Sequence, residues 1–292
     1  MPLFKGFRTL VYPEYDVIVP QTLQTFSVRT MTVQDEERLK GSFKLPNRLV
    51  EVLNRTLWDC IVRKPDHIRD YSAFTKNVTL KDRDALLYGL YHVTYGDIRN
   101  YDLTCTSCGK DYSVSVNLAE AFSVTPYNEN VKVGQPVEAA GMSILQKRVS
   151  VQLTSSPNIT VVLRQPTIFM EEDATKNYAY PDKMMEDLVT ETLIIEKIVE
   201  TLDSGSTDEY TAREDIISAY ISLPSPDRKL IFNKYKDEFG KYGIELKFRS
   251  KCVACGEIQV SNIDLVSQFF RMVFGSGLEE SEPRDELPES SQ

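Results

Sequence analysis

Two short cysteine motifs carry the clearest chemistry in the sequence. Cys105-Thr-Ser-Cys108-Gly109 and Cys252-Val-Ala-Cys255-Gly256 share the pattern CxxCG, although they lie far apart in the chain. A CxxC turn directs two sulfur atoms toward one point, and the glycine after it permits the positive φ that turns backbone amides toward the thiolates. Two such turns supply the four ligands of a tetrahedral zinc site and leave no position for water or substrate. We therefore predict a structural zinc ion bound by Cys105, Cys108, Cys252 and Cys255.

Other uses of these cysteines place different demands on the chain. A redox CxxC needs one reactive pair at a strand-to-helix junction, whereas both motifs here are followed by the alternating pattern of a strand. Disulfides within each CxxC would be strained, and nothing in the sequence indicates export. Four unconnected buried cysteines would leave the duplication of the motif and its flanking strands unexplained. An iron–sulfur cluster also takes four thiolates, but the short closed turns favour zinc.

The elements around the two motifs occur in the same order. A helical pattern over Thr79–Gly96 leads into an extended segment at Tyr101–Thr104, and the first CxxCG motif, here called the first knuckle, follows. A second helical pattern over Ser225–Gly240 leads into the strand pattern of Gly243–Phe248 and the second knuckle. Each half therefore reads helix, strand, knuckle, strand, and the metal would join two parts of the chain that are remote in sequence.

Two further helices are predicted nearer the start of the chain. Thr32 and Asp35 have the spacing of a capping box, which opens a short helix that Gly41 ends. Pro46 suits the first turn of a second helix, whose apolar residues recur at helical spacing. Cys60 lies in this helix, and its position favours a small buried apolar side chain over a metal ligand or a nucleophile.

The middle of the chain carries two further patterns. Alternating residues over Val149–Leu163 predict a β-hairpin, and a broad apolar face from Asp182 to Leu202 predicts a helix.

The predicted fold class is α+β, with a helical core, a split four-cysteine zinc ribbon on β-hairpins and a β-rich insertion. The predicted organisation is an extended arm over 1–23, an N-terminal helical region with the first knuckle over 24–121, the insertion over 122–180, a C-terminal helical region with the second knuckle over 181–274, and a disordered acidic tail over 275–292.

The net charge of the chain limits the kinds of partner that it can bind. The 292 residues carry a formal net charge of −9. The tail from Gly275 holds six acidic residues and one arginine, or −5 of that total, and it is either solvated or ordered by a partner. An acidic body argues against a surface that follows nucleic-acid phosphates. The rival interpretation is a zinc-ribbon adaptor that contacts nucleic acid, which a basic face formed by Lys247, Arg249 and Lys251 would favour.

Catalytic motifs are missing from the sequence. The only histidines, His67 and His92, stand in no arrangement with Ser, Cys or Asp that supports nucleophilic catalysis, and there is no P-loop, GxGxxG or HExxH motif. We predict a protein that is not an enzyme, has no cofactor besides structural zinc and does not span a membrane, since no apolar stretch is long enough. The aromatic residues of the arm, among them Phe4, Phe7 and Tyr15, either dock on a neighbour or fold back onto the core.

Several blocks resemble one family of viral proteins. The segment from Thr79 to Gly96, the run Leu103–Gly109 after it, and the opening block Phe26–Leu39 are similar to the baseplate hub assembly proteins of T4-like contractile-tailed phages. The resemblance covers residues 24–118 and 226–274. It implies a non-enzymatic protein of the tail baseplate, present in the host cytoplasm during assembly or in the virion, with other baseplate or tail proteins as partners. It leaves open whether the chain is a component or an assembly chaperone, and whether it forms an oligomer.

Overall fold

The computed structural model describes residues 11–42, 46–127, 144–177, 188–265, 269 and 272–273. Helices and antiparallel strands are interspersed along the chain, so the fold is α+β, as the sequence predicts. The N-terminal elements are β1 (Glu14–Ile18), β2 (Thr25–Arg29), α1 (Val33–Ser42), α2 (Pro46–Cys60), β3 (Ile61–Arg63), α3 (Tyr71–Asn77) and α4 (Leu80–Tyr95). The elements around the first knuckle are β4 (Ile98–Thr104), β5 (Asp111–Asn117), α5 (Leu118–Ala121) and β6 (Phe122–Thr125).

The second half of the chain begins with a four-stranded sheet and ends with the second knuckle. Its elements are β7 (Val149–Gln152), β8 (Ile159–Leu163), α6 (Ile168–Asn177), β9 (Ile195–Thr201), β10 (Thr207–Tyr210), α7 (Arg213–Ser222), α8 (Ser225–Tyr235), β11 (Gly243–Lys251) and β12 (Ile258–Asn262). A 3-10 turn at Thr192–Ile194 precedes β9, and a π-helical turn at Lys236–Gly240 follows α8.

The N-terminal sheet packs directly on α4. Its strand order is β1-β2-β3, all antiparallel. A Cβ atom added to Gly89 in α4 would overlap Cγ2 of Val17 in β1. Glycine at this position therefore allows a closer approach of sheet and helix than any other residue would. Val17 and Val19 are buried and Tyr15 packs against the same core, so this part of the arm folds back onto the body; Phe4 and Phe7 lie outside the described residues.

The predicted capping box of α1 is confirmed. The amide of Thr32 donates to Oδ2 of Asp35 at 2.9 Å, and the amide of Asp35 donates back to Oγ1 of Thr32 at 3.3 Å. Arg29 also donates to the Asp35 carboxylate at 2.9 Å. The pKa of Asp35 is lowered, since these hydrogen bonds and the guanidinium outweigh the opposing effect of its burial.

Helix α2 begins at Pro46 as predicted. Cys60 at its end is completely buried, and burial raises the pKa of its thiol to about 12.

The central sheet has the order β10-β9-β8-β7. The predicted hairpin is confirmed, with Val151 opposite Val161. The predicted helix through Leu202 is wrong over Ile195–Thr201, which is strand β9 and pairs with β8 on one side and β10 on the other. Ile198 lies opposite Val161 in this sheet. A short apolar run rich in β-branched residues fits a buried strand as well as a helix, and pairing on both sides decides for the strand.

The main core joins the two halves of the chain. Buried residues from β1, β2, α2, α3 and α4 form one cluster, and residues that follow the second knuckle complete it. Leu265, Phe269 and Val273 are all buried within this cluster. Among the described residues, no helix has both the length and the apolar character needed to span a membrane.

Candidate metal centre

Two antiparallel hairpins present the four cysteines. In the first, β4 pairs with β5 from Ile98 opposite Asn117 to Thr104 opposite Asp111. In the second, β11 pairs with β12, and Lys251 lies opposite Ile258 beside the turn. Each CxxCG sequence forms the turn of its hairpin, as the alternating residues on both sides predict.

The two turns have the same backbone geometry. The amide of Gly109 donates to the carbonyl of Cys105 at 2.9 Å, and the amide of Gly256 donates to the carbonyl of Cys252 at 2.9 Å. Both glycines have positive φ, 69° at Gly109 and 78° at Gly256. The first cysteine of each turn also forms a backbone hydrogen bond across its hairpin. The amide of Cys105 donates to the carbonyl of Lys110 at 3.0 Å, and the amide of Cys252 donates to the carbonyl of Glu257 at 2.8 Å. The positive φ predicted for both glycines is therefore confirmed.

The turns bring all four sulfur atoms together. The Sγ atoms of Cys105 and Cys255 lie 3.6 Å apart, those of Cys108 and Cys252 lie 3.8 Å apart, and all four lie within 4.8 Å of one another. Zinc bound at about 2.3 Å to each of four sulfurs in a tetrahedron separates them by about 3.8 Å. The four side chains thus have the number, chemistry and spacing that such an ion requires.

The electrostatics of the cluster also favour a cation. The backbone amides of Cys255 and Ala254 lower the pKa of Cys252 to about 6. The pKa of Cys255 is raised to about 12, because the neighbouring sulfurs, Cys108 first, outweigh the opposing effect of the Glu257 amide. Four thiolates at this separation repel one another, and a bound divalent cation allows all four to ionise.

The packing of the two hairpins positions the sulfurs. The rings of Tyr101 and Phe248 stack with centroids 5.5 Å apart. Nearer the turns, the hydroxyls of Tyr112 and Ser250 share a buried hydrogen bond of 2.7 Å. The side chain of Gln259 then accepts a hydrogen bond of 3.3 Å from the amide of Thr106 in the first turn.

Sequence reasoning did not identify Ser250 and Gln259 as supporting residues. Alternation places Ser250 on the same face of β11 as the buried Leu246, and a polar side chain on an inward face is the signal that it has a partner. Cys105 and Cys252 are buried beside Tyr112, whereas Cys108 and Cys255 are exposed.

The chain also links the hairpins through its backbone. Strand β6, which follows the first hairpin, pairs antiparallel with the first part of β11, with Leu246 opposite Phe122. Strands β12, β11 and β6 therefore form one sheet that contains segments from both halves of the chain. The cysteine cluster lies at one end of this shared structure, where two remote segments already meet.

The histidines lie elsewhere and have ordinary partners. Nδ1 of His92 lies 2.7 Å from Oδ1 of Asp97, and Nε2 of His67 lies 3.3 Å from the side-chain nitrogen of Gln24. Within the described ranges, the four cysteines are the only group of three or more His, Cys, Asp or Glu side chains close enough to hold one metal ion. Cys60 is not part of this group.

Comparison with known proteins shows which family the chain resembles. A family model described as T4 bacteriophage base plate protein matches residues 12–271, which is most of the chain. No curated protein and no solved structure matches this chain. The matched region includes both cysteine motifs and every helix and strand whose bounds are given above. The chain therefore belongs to the T4 bacteriophage base plate protein family.

Proposed function

We propose that the chain is a non-enzymatic protein of the phage tail baseplate hub, either a component or an assembly chaperone, made rigid by one structural zinc ion. The observation that carries the proposal is the convergence of four cysteines from two hairpins within a member of the base plate family. Cys105, Cys108, Cys252 and Cys255 would bind the ion. Since all four ligands come from the protein, the ion would have no open position for substrate.

The ion would act by joining remote segments. Cys108 and Cys252 are separated by 144 positions in the chain, so closing this loop costs conformational entropy that metal binding offsets. The loop contains the central sheet and α7, and the ion would fix how this region sits against the N-terminal helices. A fixed surface is what an assembly of many subunits requires of each protein in it.

The expected partners and location follow from the family. Other baseplate or tail proteins would bind the chain, in the host cytoplasm during assembly and, for a component, in the virion. We retain as a proposal the division into an arm (1–23), two knuckle-bearing regions (24–121 and 181–274), an insertion (122–180) and an acidic tail (275–292). The central sheet draws strands from both sides of residue 180, so the insertion and the second region would share it.

A zinc-ribbon adaptor for nucleic acid is the second candidate, and one observation favours it. Lys247, Arg249 and Lys251 alternate along β11 and are all exposed on one face. Three cations in a chain of net charge −9 give little release of counterions from a phosphate backbone. We therefore place the baseplate role first.

Three measurements test the proposal. Elemental analysis of the purified chain should give about one zinc per chain, the content of a single closed site, and its absence would contradict the structural-metal part. Disruption of the gene in the phage that encodes it should stop baseplate formation, as seen by electron microscopy of the lysate. Mass spectrometry of purified particles then separates the two roles, because a component remains in the particle and a chaperone does not. Normal tails without the chain would refute the baseplate role.

A further inference from the structure

The outer face of the second hairpin is open among the described residues. In β11, Phe248 and Ser250 contact the first hairpin, and the buried Leu246 lies on the same face of the strand, so the residues between them face away. Arg249 lies opposite Val260 of β12, and Lys251 lies opposite Ile258. Residues opposite one another in an antiparallel pair project from the same face. The outer face therefore combines cations from β11 with the aliphatic side chains of β12, which are 63% exposed at Ile258 and 61% exposed at Val260.

The same strand forms an edge of its sheet. The order is β12-β11-β6, so within the described residues β12 has a neighbour on one side only. The amide of Cys252 donates to the carbonyl of Glu257 at 2.8 Å, and the amide of Ile263 donates to the carbonyl of Leu246 at 2.9 Å. These bonds identify Cys252 with Glu257, and Leu246 with Ile263, as hydrogen-bonded pairs of the hairpin. Because bonded pairs alternate in an antiparallel ladder, the backbone groups of Ile258 and Val260 point to the free edge. A partner strand can pair there without disturbing β11.

Two of the cations on this face have no acidic partner among the described residues. Lys247 contacts Glu245 at 2.7 Å, but Arg249 and Lys251 form no ion pair there. Both belong to a chain whose net charge is −9. A locally basic and aliphatic face on an acidic protein is complementary to an acidic partner with apolar side chains.

We propose that this face and edge bind an extended acidic segment of a neighbouring protein, which adds to β12 as a further strand. Backbone hydrogen bonds to Ile258 and Val260 would supply affinity, as in other cases of strand addition. Strands two apart in a sheet lie about 10 Å from each other, a distance that an arginine or lysine and a glutamate side chain span together. Carboxylates of the added strand would thus meet Arg249 and Lys251 across the aliphatic row. The identity of the neighbour as a tail protein rests on the proposed function, whereas the docking chemistry does not.

Other occupants use fewer of these features. Nucleic acid would use the cations but not the free backbone edge. A second copy that pairs β12 with β12 would contribute the strand Ile258–Asn262, which contains no carboxylate to meet the cations. The tail over 275–292 is acidic, but Pro283 and Pro288 lack the amide donors that a strand needs.

The test uses peptides as probes against the full chain. The probe is a labelled peptide with threonine at every second position. The positions between the threonines carry glutamate, except for a valine at the centre, so that one face holds the glutamates and the valine. This peptide should bind the full chain in a fluorescence-anisotropy titration. Val260→Pro removes one outward amide without removing a bond to β11, and we expect it to weaken binding at least tenfold. The double variant Arg249→Glu/Lys251→Glu should do the same. Lys229→Glu, an exposed cation on α8, is the matched control and should leave binding unchanged.

Further probes separate the alternatives. A peptide with lysine in place of glutamate, and one with N-methylated backbone on its pairing edge, should both lose binding. Equal binding of the lysine peptide, or no binding by the glutamate peptide at millimolar concentration, would overturn the proposal. Tighter binding of single-stranded DNA than of the peptide would assign the face to nucleic acid. A dimer lost in Val260→Pro would assign it to a second copy, and a tenfold gain in affinity on deletion of 275–292 would assign it to the tail. Zinc content and tail assembly, measured separately, show whether the proposed function fails as well.

Discussion

The Sγ atoms of Cys105 and Cys255 lie 3.6 Å apart, although 150 positions separate the two residues in the chain. The first belongs to the turn of one hairpin and is buried, and the second closes the turn of the other and is exposed. This cross-pairing, repeated by Cys108 and Cys252, means that neither hairpin holds a complete site. Any ion bound here would require both halves of the chain to be folded together.

The first prediction concerns the cysteines. Cys252→Ser should abolish zinc binding and lower the free energy of unfolding by about 4 kcal/mol or more, the range associated with loss of a metal site. Cys105→Ser should behave in the same way. Chemical denaturation and elemental analysis of the same samples provide the measurement.

Cys60→Ser is the matched control for these variants. Its thiol is buried in the main core, outside the cluster, so the cost should be only that of burying a hydroxyl, about 1–3 kcal/mol. Its zinc content should equal that of the unmodified chain. If all three variants had the same stability and the same zinc content, the structural-metal proposal would fail.

The second prediction concerns the approach of β1 to α4. Gly89→Ala should lower the free energy of unfolding by about 1–3 kcal/mol, because the added methyl would overlap Cγ2 of Val17. The variant Val17→Ala removes that atom, and the double variant should cost less than the sum of the two single changes. Urea denaturation of the four proteins measures the coupling.

Gly41 supplies the control for this experiment. It lies in α1, and no atom lies within 4 Å of the position that a Cβ would occupy. Gly41→Ala should therefore be neutral or should stabilise the protein by up to about 1 kcal/mol, the difference in helix propensity. Additive effects at Gly89 and Val17 would show that the close contact has no energetic weight.

The extent to which sequence predicts this structure depends on the range of the interaction. The CxxCG turns and the capping box at Thr32 and Asp35 depend on neighbours within a few positions, and both are confirmed. Asp82 has the same spacing after Thr79, and its amide does donate to the Thr79 hydroxyl at 3.0 Å. Its carboxylate, however, accepts hydrogen bonds from a turn 60 and 61 positions earlier in the chain. Local spacing does not encode such a partner.

The same limit explains the other differences. The apolar residues of β9 suit a helix as well as a strand, and the pairing with β8 and β10 that decides between them depends on residues elsewhere in the chain. The contacts of Ser250 and Gln259 arise only when two hairpins pack together. The sequence therefore predicts the four candidate ligands, whereas their support depends on tertiary packing.

The third prediction tests that support. Tyr112→Phe removes the hydroxyl that hydrogen-bonds to Ser250 beside the cluster. It should lower the free energy of unfolding by about 1–3 kcal/mol, because a buried hydroxyl loses its partner. Zinc should remain bound but exchange faster with a chelator, since the hairpins are held less firmly.

The control replaces both partners. Ser250→Ala in the Tyr112→Phe background removes the unsatisfied group and should recover part of the lost stability. Denaturation reports the stability, and a colorimetric chelator assay reports the rate of zinc release. An unchanged release rate in Tyr112→Phe would show that the hydrogen bond does not stabilise the site.

The last prediction concerns pH and Asp82, which is completely buried. Its carboxylate accepts hydrogen bonds from the amide of Gln21 at 2.7 Å and from the hydroxyl of Thr22 at 2.6 Å. Burial raises the pKa of Asp82 from 3.8 to about 6, against the opposing effect of these donors. The folded chain therefore holds this proton at pH values where the unfolded chain has lost it. The stability that Asp82 contributes is present below about pH 4 and is lost as the pH rises toward 6, by an amount on the order of 3 kcal/mol.

Asp82→Asn removes the titration and keeps the shape of the side chain. At pH 4 the variant should be less stable, because its amide NH2 would face the donors of the β1–β2 turn. Its deficit relative to the unmodified chain should shrink as the pH rises from 4 to 6 and stay constant above that, as measured by urea denaturation at each pH. Other groups that titrate in this range, including the cysteine cluster, affect both proteins alike and cancel in the difference. A deficit that is constant from pH 4 to pH 7 would show that Asp82 has an ordinary pKa in the folded chain.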